Sequence, residues 1–214
     1  MKNRLLILLL VTIVIGMCST AILAQKKQGT FTDKRDGHTY KWVRIGNQAW
    51  MAENLNYKTN SDSWCYDNDT SNCQKYGRLY TWEMAKEVCP AGWHLPGDNE
   101  WEELAQFISN DKGPYTKDKY GWEDVGKHLK AKRGWEDGGN GTDAYRFSAL
   151  PGGYPGDYTP IGHYGYFWSS IGYDNEHAWG RALDCNTSRF HRHRYDKGYG
   201  FSVRCVRDLT GKLT

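Results

Sequence analysis

The core of this chain has to be built from aromatic rings. Ten Trp and fifteen Tyr stand beside twenty-four Gly, and long aliphatic runs are few after residue 25. Too little Leu, Val and Ile is present to fill packed layers. Most of the ten Trp must therefore be core, with glycine supplying the tight turns between short elements.

The first residues are of a different kind. Lys2 and Arg4 precede an apolar run from Leu5 to Ile15, interrupted by Thr12, and small residues follow. Basic start, greasy middle and cleavage region make residues 1–24 a secretory signal, cut between Ala24 and Gln25. Two alternatives use the same segment. Leu5 to Ala24 carries no charge and is long enough to span a bilayer if it is retained. Cys18 could take a lipid, although Met17 before it is bulky for such a motif. The expected location is secreted or at the cell surface.

Removing residues 1–24 takes Lys+Arg from 28 to 26 against 25 Asp+Glu, a net charge near +1. That balance argues against a nucleic-acid partner and, once the signal is cut, against a membrane surface. The remaining 190 residues are one domain by size. They hold Cys65, Cys73, Cys89, Cys185 and Cys205. An exported chain makes disulfides the expectation, and an odd number leaves one thiol over.

Patterning along the chain predicts an α+β fold with two early helices, short antiparallel strands and long loops. Residues 25–38 read as an extended lead, and Thr39 to Met51 as a hairpin around Gly46-Asn47. Residues 56–77 read as a long polar loop. Helical spacing places Tyr80, Met84 and Val88 on one face of a helix at 80–88. A second helix starts at Asp98 or Asn99, with Glu102 closing a capping box and Trp101, Leu104, Ala105 and Ile108 buried. A weaker helical stretch in 110–146 puts Trp122, Val125 and Leu129 on one face. Strands are expected at 145–150, 165–170, 177–183 and 200–206. Helices early and strands late exclude a doubly wound parallel sheet. The domain runs over 39–208, with a tail at 209–214.

The segments GNQAWMAENLNY, GRLYTWEMAKEVCPAGWHLPGDNEWEEL, FSALPGGY, GYFWSS and GFSVRCV together resemble the Fibrobacter succinogenes major paralogous domain over about residues 30–208. The resemblance implies a bacterial exported protein. That domain in turn is distantly similar to the C-type lectin-like fold and to the formylglycine-generating enzyme domain, through WHLPGDNEWEEL and the closing GFSVRCV. Likeness of fold does not carry function. By analogy with C-type lectin-like domains, Cys89 pairs with Cys205. Cys65 then clasps Cys73 across the polar loop, and Cys185 is the odd thiol.

Chemistry is sought at four places. Cys185 lies in CNTSRFHRHRY, a setting similar to the reactive region of formylglycine-generating enzymes. Phe190 stands where a second cysteine would be needed. His191, Arg192, His193 and Arg194 could lower its pKa if they lie near it in space. His191 and His193 share one face of a strand, but the flanking arginines favour a basic or anion-contacting surface over a metal. Asp67 with Asp69, and Asp137 with Asp143, sit in loops that could offer oxygens to calcium. The sugar-binding signature of true C-type lectins is absent. The last lead is aromatic: Trp64, Trp168, Trp179, Tyr154, Tyr158 and Tyr195 are candidate ligand platforms. No catalytic set is complete. The expectation is a non-catalytic recognition module for a glycan or a surface protein, with no cofactor. The alternatives are a thiol enzyme using Cys185 and a structural surface or matrix protein.

Overall fold

The structure is a computed structural model, which describes residues 27–154 and 160–209. The signal segment with Cys18, Ala24 and Gln25, the candidate Tyr158, and residues 210–214 lie outside the described residues.

In chain order the elements begin with β1 (Gln28–Thr32), β2 (Thr39–Ile45), β3 (Gln48–Met51) and β4 (Ser63–Trp64). Then come α1 (Thr70–Tyr76), β5 (Leu79–Tyr80), α2 (Trp82–Glu87), α3 (Asp98–Lys112), β6 (Lys117–Asp118), β7 (Gly121–Trp122) and α4 (Gly126–Leu129). The C-terminal half holds β8 (Tyr164–Gly172), β9 (His177–Asp184), β10 (Phe190–Asp196), β11 (Phe201–Ser202) and β12 (Val206–Asp208). One sheet runs β1-β2-β3-β12; the other runs β4-β5-β11-β8-β9-β10-β7-β6. All pairings are antiparallel except β11 with β8. The fold is α+β, and no described helix is long and apolar enough to cross a membrane.

Several local expectations hold. The hairpin turns at Gly46-Asn47, with Ile45 opposite Gln48. The extended lead is extended, but it is also paired, because Gln28–Thr32 lies along Thr39–Val43. The disulfides are Cys65–Cys73 and Cys89–Cys205, and Cys185 is free and buried.

Others need correction. The helix expected at 80–88 is only Trp82–Glu87, because Tyr80 is drawn into β5 between β4 and β11. Thr81 Oγ1 then accepts the Met84 N–H as the cap. The second helix begins after Gly97 rather than at an Asn99 cap, and Glu100, not Glu102, accepts the Gly97 N–H at 2.7 Å. Having no side chain, Gly97 cannot return the bond, so half a capping box forms. The loop at 56–77 contains α1, capped by Asp69, whose Oδ1 accepts the Ser71 N–H. Trp122 is on a strand, not a helix. Gly121 at φ +131° and Asp124 at φ +59° break the helical path, yet Trp122, Val125 and Leu129 are buried together as expected. Residues 145–150 form no strand; Arg146 and Ser148 have positive φ, and Ala149 makes a single bridge to Lys130. The closing segment divides between the two sheets as β11 and β12.

The core is aromatic. Eight of the ten Trp are buried, leaving Trp64 and Trp179 partly exposed. Trp101 on α3 is central, 4.6 Å from Trp50, 6.0 Å from Phe167 and 5.8 Å from Phe190. A second cluster joins Tyr40, Tyr80, Trp82, Trp168 and Phe201. Buried indoles keep a partner for their N–H. Trp82 donates to Ser169 O at 2.8 Å, Trp135 to Ala149 O at 3.1 Å, and Trp168 to Tyr80 O at 2.8 Å.

Candidate functional site

Strand periodicity divides the predicted ligand residues between the two faces of the β9–β10 ribbon. His191, His193 and Tyr195 point to one side, while Arg192 and Arg194 point to the other with Trp179 and Arg181 opposite them.

The first side carries a chain of rings across the larger sheet. Tyr199 stacks on Tyr154 at 5.0 Å, and Tyr154 meets Tyr166 edge-on at 5.6 Å. Tyr166 meets Tyr195 at 5.6 Å, Tyr195 meets His193 at 6.2 Å, and His193 meets Tyr120 at 5.8 Å. Edge-on and offset contacts of this kind are favourable for aromatic pairs. Both ends are open, since Tyr199 and Tyr120 keep 40% and 46% of their surface exposed. In the middle Tyr166 is buried and Tyr154, Tyr195 and His193 are half-buried, with small residues lining the strand opposite β10. Gly180 faces His193, and a Cβ there would stand 2.9 Å from the Tyr195 ring. Glycine lets that ring lie down on the sheet.

Electrostatics sharpen one end. His191 stacks beside His193 and holds Asp184 Oδ2 at 2.8 Å through Nε2. Burial opposes the charge of Asp184, but His191, Thr187 and two backbone N–H groups hold its carboxyl well below the usual range. Burial, then His191 and Arg189, push His193 below the ordinary imidazole pKa, so it stays neutral near pH 7. Burial also raises the hydroxyls of Tyr166 and Tyr195 far above the usual phenol value.

The other side is a clamp. Arg192 lies over Trp179 at 3.4 Å and binds Asp98 at the start of α3, with Nη2 at 2.9 Å and Nε at 3.0 Å. Arg181 reaches the same carboxylate at 2.7 Å. Trp179 therefore has one ring face covered by a guanidinium and stands perpendicular to the Tyr173 ring at 5.1 Å. Trp168 is fully buried, so it offers no platform; its ring packs at 4.4 Å on Phe201. Trp64 lies against the backbone of Gly200, next to Tyr199.

The remaining candidates fall elsewhere. Asp69 is committed to capping α1, and Asp143 accepts from both the N–H and the hydroxyl of Ser148. Among the described residues the acidic pairs do not gather into a carboxylate cluster; Asp137 instead joins His163 and Cys185. The basic run at 191–194 does not activate Cys185. Burial and the Asp137 carboxylate push its thiol pKa up rather than down. A separate cleft of about 840 Å³ lies between β1, β2 and α1, bordered by Trp42, Asn54, Tyr76 and Arg146; of the predicted ligand residues only the calcium candidate Asp143 lines it.

Sequence reasoning missed Tyr120, Tyr166, Tyr199 and His163. The Gly-Tyr-Gly context of Tyr199 is the only local signal; Tyr166 joins the site through the β8–β9 register, and Tyr120 and His163 through their places just before β7 and β8.

A family model described as the Fibrobacter succinogenes major domain matches residues 43–207. No curated protein and no solved structure matches the chain.

Proposed function

We propose that this chain, which belongs to the Fibrobacter succinogenes major domain family, is an exported, non-catalytic recognition module whose ring row binds a glycan. The observation that carries the reading is the unbroken path Tyr199–Tyr154–Tyr166–Tyr195–His193–Tyr120. Tyrosine supplies an apolar face and a wet hydroxyl, which suits the alternating C–H and hydroxyl surfaces of a sugar chain. A neutral His193 adds hydrogen-bonding capacity without repelling cations. The exported location rests on the signal-like residues 1–24. The C-type lectin-like relationship is part of the same proposal. Its support is the Cys89–Cys205 bond, which ties the end of the α2 segment to the closing strand region.

The test is binding of the oxidised chain to a glycan and polysaccharide array, with and without calcium. Tyr199→Ala and Tyr120→Ala remove exposed rings at the ends of the row and leave the core untouched. Each is expected to weaken binding about tenfold, or 1.4 kcal/mol, while Arg146→Ala in the separate cleft has no effect. Binding lost only with Arg146→Ala moves the site to the cleft. No glycan binding in either condition overturns the glycan reading in favour of a protein partner or a structural role.

A further inference from the structure

We propose that Asp137, His163 and Cys185 form a site for one borderline divalent cation of the zinc(II) type, held through carboxylate, imidazole and thiolate with its fourth position toward solvent. This site is separate from the ring row and does not depend on it.

Three segments build it. His163 immediately precedes β8 and Cys185 immediately follows β9, so the antiparallel pair brings imidazole and thiol to the same end of the ribbon. The Cys185 N–H donates to His163 O at 2.9 Å and locks that juxtaposition. Asp137 comes from a turn in which Asp137 and Gly138 both have positive φ and the Gly139 N–H donates to Glu136 O. Gly139 lies so close to Cys185 that a Cβ would stand 2.5 Å from the Cys185 Cα. Only glycine allows the turn to dock there and present Asp137 to the sulfur.

The two spacings that involve Asp137 are those of ligands around an ion, and closing the third to the same length takes a small shift of the His163 ring or the Cys185 sulfur. Asp137 Oδ2 is 3.6 Å from Cys185 Sγ and 3.6 Å from His163 Nε2, and all three ligand atoms lie within 4.8 Å of one another. A carboxylate and an imidazole 3.6 Å apart are too far for a good hydrogen bond. A tetrahedral ion with bonds of about 2.0–2.3 Å would set its ligands roughly 3.3–3.6 Å apart. The imidazole is also uncommitted. His163 Nδ1 is buried with no hydrogen-bond partner among the described residues, and Nε2 reaches only the distant carboxylate. Cys185 is buried and Asp137 is exposed, so the site opens on one side.

The donor set chooses the metal class. Calcium and magnesium take oxygen ligands in larger numbers, whereas one thiolate, one imidazole and one carboxylate suit zinc and its neighbours. On binding, the cation replaces the Cys185 thiol proton, which passes to solvent. Near this cluster, Lys130 Nζ donates to the backbone oxygens of Asp184 and Thr187, on either side of Cys185 in sequence.

The full chain, with both disulfides formed and Cys185 reduced, is stripped with chelator and titrated with cobalt(II), then zinc(II). Cobalt is expected to give a thiolate-to-metal absorption band that saturates at one equivalent and is displaced by zinc. Zinc should also slow alkylation of Cys185, whereas calcium should not. Cys185→Ser abolishes the band, and His163→Gln and Asp137→Asn each weaken binding at least about tenfold, with circular dichroism and disulfide count confirming folded protein. Should Cys185→Ser fail to fold, alkylation protection of the unaltered chain decides. The proposal is overturned by the absence of both a saturable band and zinc protection. It is equally overturned by affinity unchanged in both His163→Gln and Asp137→Asn, or by protection from calcium.

Discussion

Arg204 is fully buried, and each of its three guanidinium nitrogens has a hydrogen-bond acceptor. Nε donates to Asn54 Oδ1, Nη1 to Met51 O and Phe147 O, and Nη2 to Ser148 O, while the plane lies 4.7 Å over Phe147. Burial lowers its pKa, and the carbonyl oxygens arranged around it stabilise the charge. This side chain sits where the closing segment crosses from β11 in one sheet to β12 in the other, and it ties that crossing to the end of β3 and to the loop at 147–148. Replacing it with Met would leave several buried oxygens without donors. At roughly 1–3 kcal/mol for each unsatisfied group, Arg204→Met should destabilise the chain by at least about 3 kcal/mol, read from urea unfolding. The segment GFSVRCV marked this region in the sequence, but nothing there distinguished a buried arginine from an exposed one. The same holds for Trp168. Its residue type allowed either a surface platform or core, and the depth of its strand put it in the core.

At the scale of elements, the start of α3 is held on the β9–β10 ribbon by Asp98. Burial raises the pKa of that carboxyl, but Arg192 and Arg181 outweigh burial and hold it below the ordinary aspartate range. A depressed carboxylate contributes stability that is present above the unfolded pKa and is lost as pH falls through the folded one. Unfolding free energy should therefore drop as pH is lowered below about 4. In Asp98→Asn that drop should be smaller, with lower stability at pH 7; equal pH slopes in the two proteins would reject the assignment. The helix and its buried Trp101, Leu104, Ala105 and Ile108 were legible from period and capping residues. The clamp was not, because Asp98 and Arg192 are 94 residues apart. The stretch containing Trp122 shows a further limit. A period of three to four marked which side chains are buried, but two positive-φ residues turned the chain into a strand and a short helix instead.

For the whole molecule, the two disulfides should differ in weight. Cys89–Cys205 closes 116 residues and Cys65–Cys73 closes 8. In the chain-entropy model their removal costs about 5 and about 2.5 kcal/mol respectively. The double variant Cys89→Ala/Cys205→Ala should therefore lower the melting temperature far more than Cys65→Ala/Cys73→Ala, as scanning calorimetry would show. A similar loss from both pairs would mean that native packing, not loop closure, sets their contribution. The sequence by itself determined what depends on composition and near neighbours: an aromatic core, an α+β order of elements, the Gly46-Asn47 hairpin, helix α3, and membership of the family through its ordered motifs. It also divided His191 and His193 from Arg192, since alternation along a strand is local. Only the tertiary structure decided which side of that strand joins a row of rings and which is clamped to α3. It alone brought Asp137, His163 and Cys185 together, since periodicity sets where a side chain points but not which distant segment packs against it.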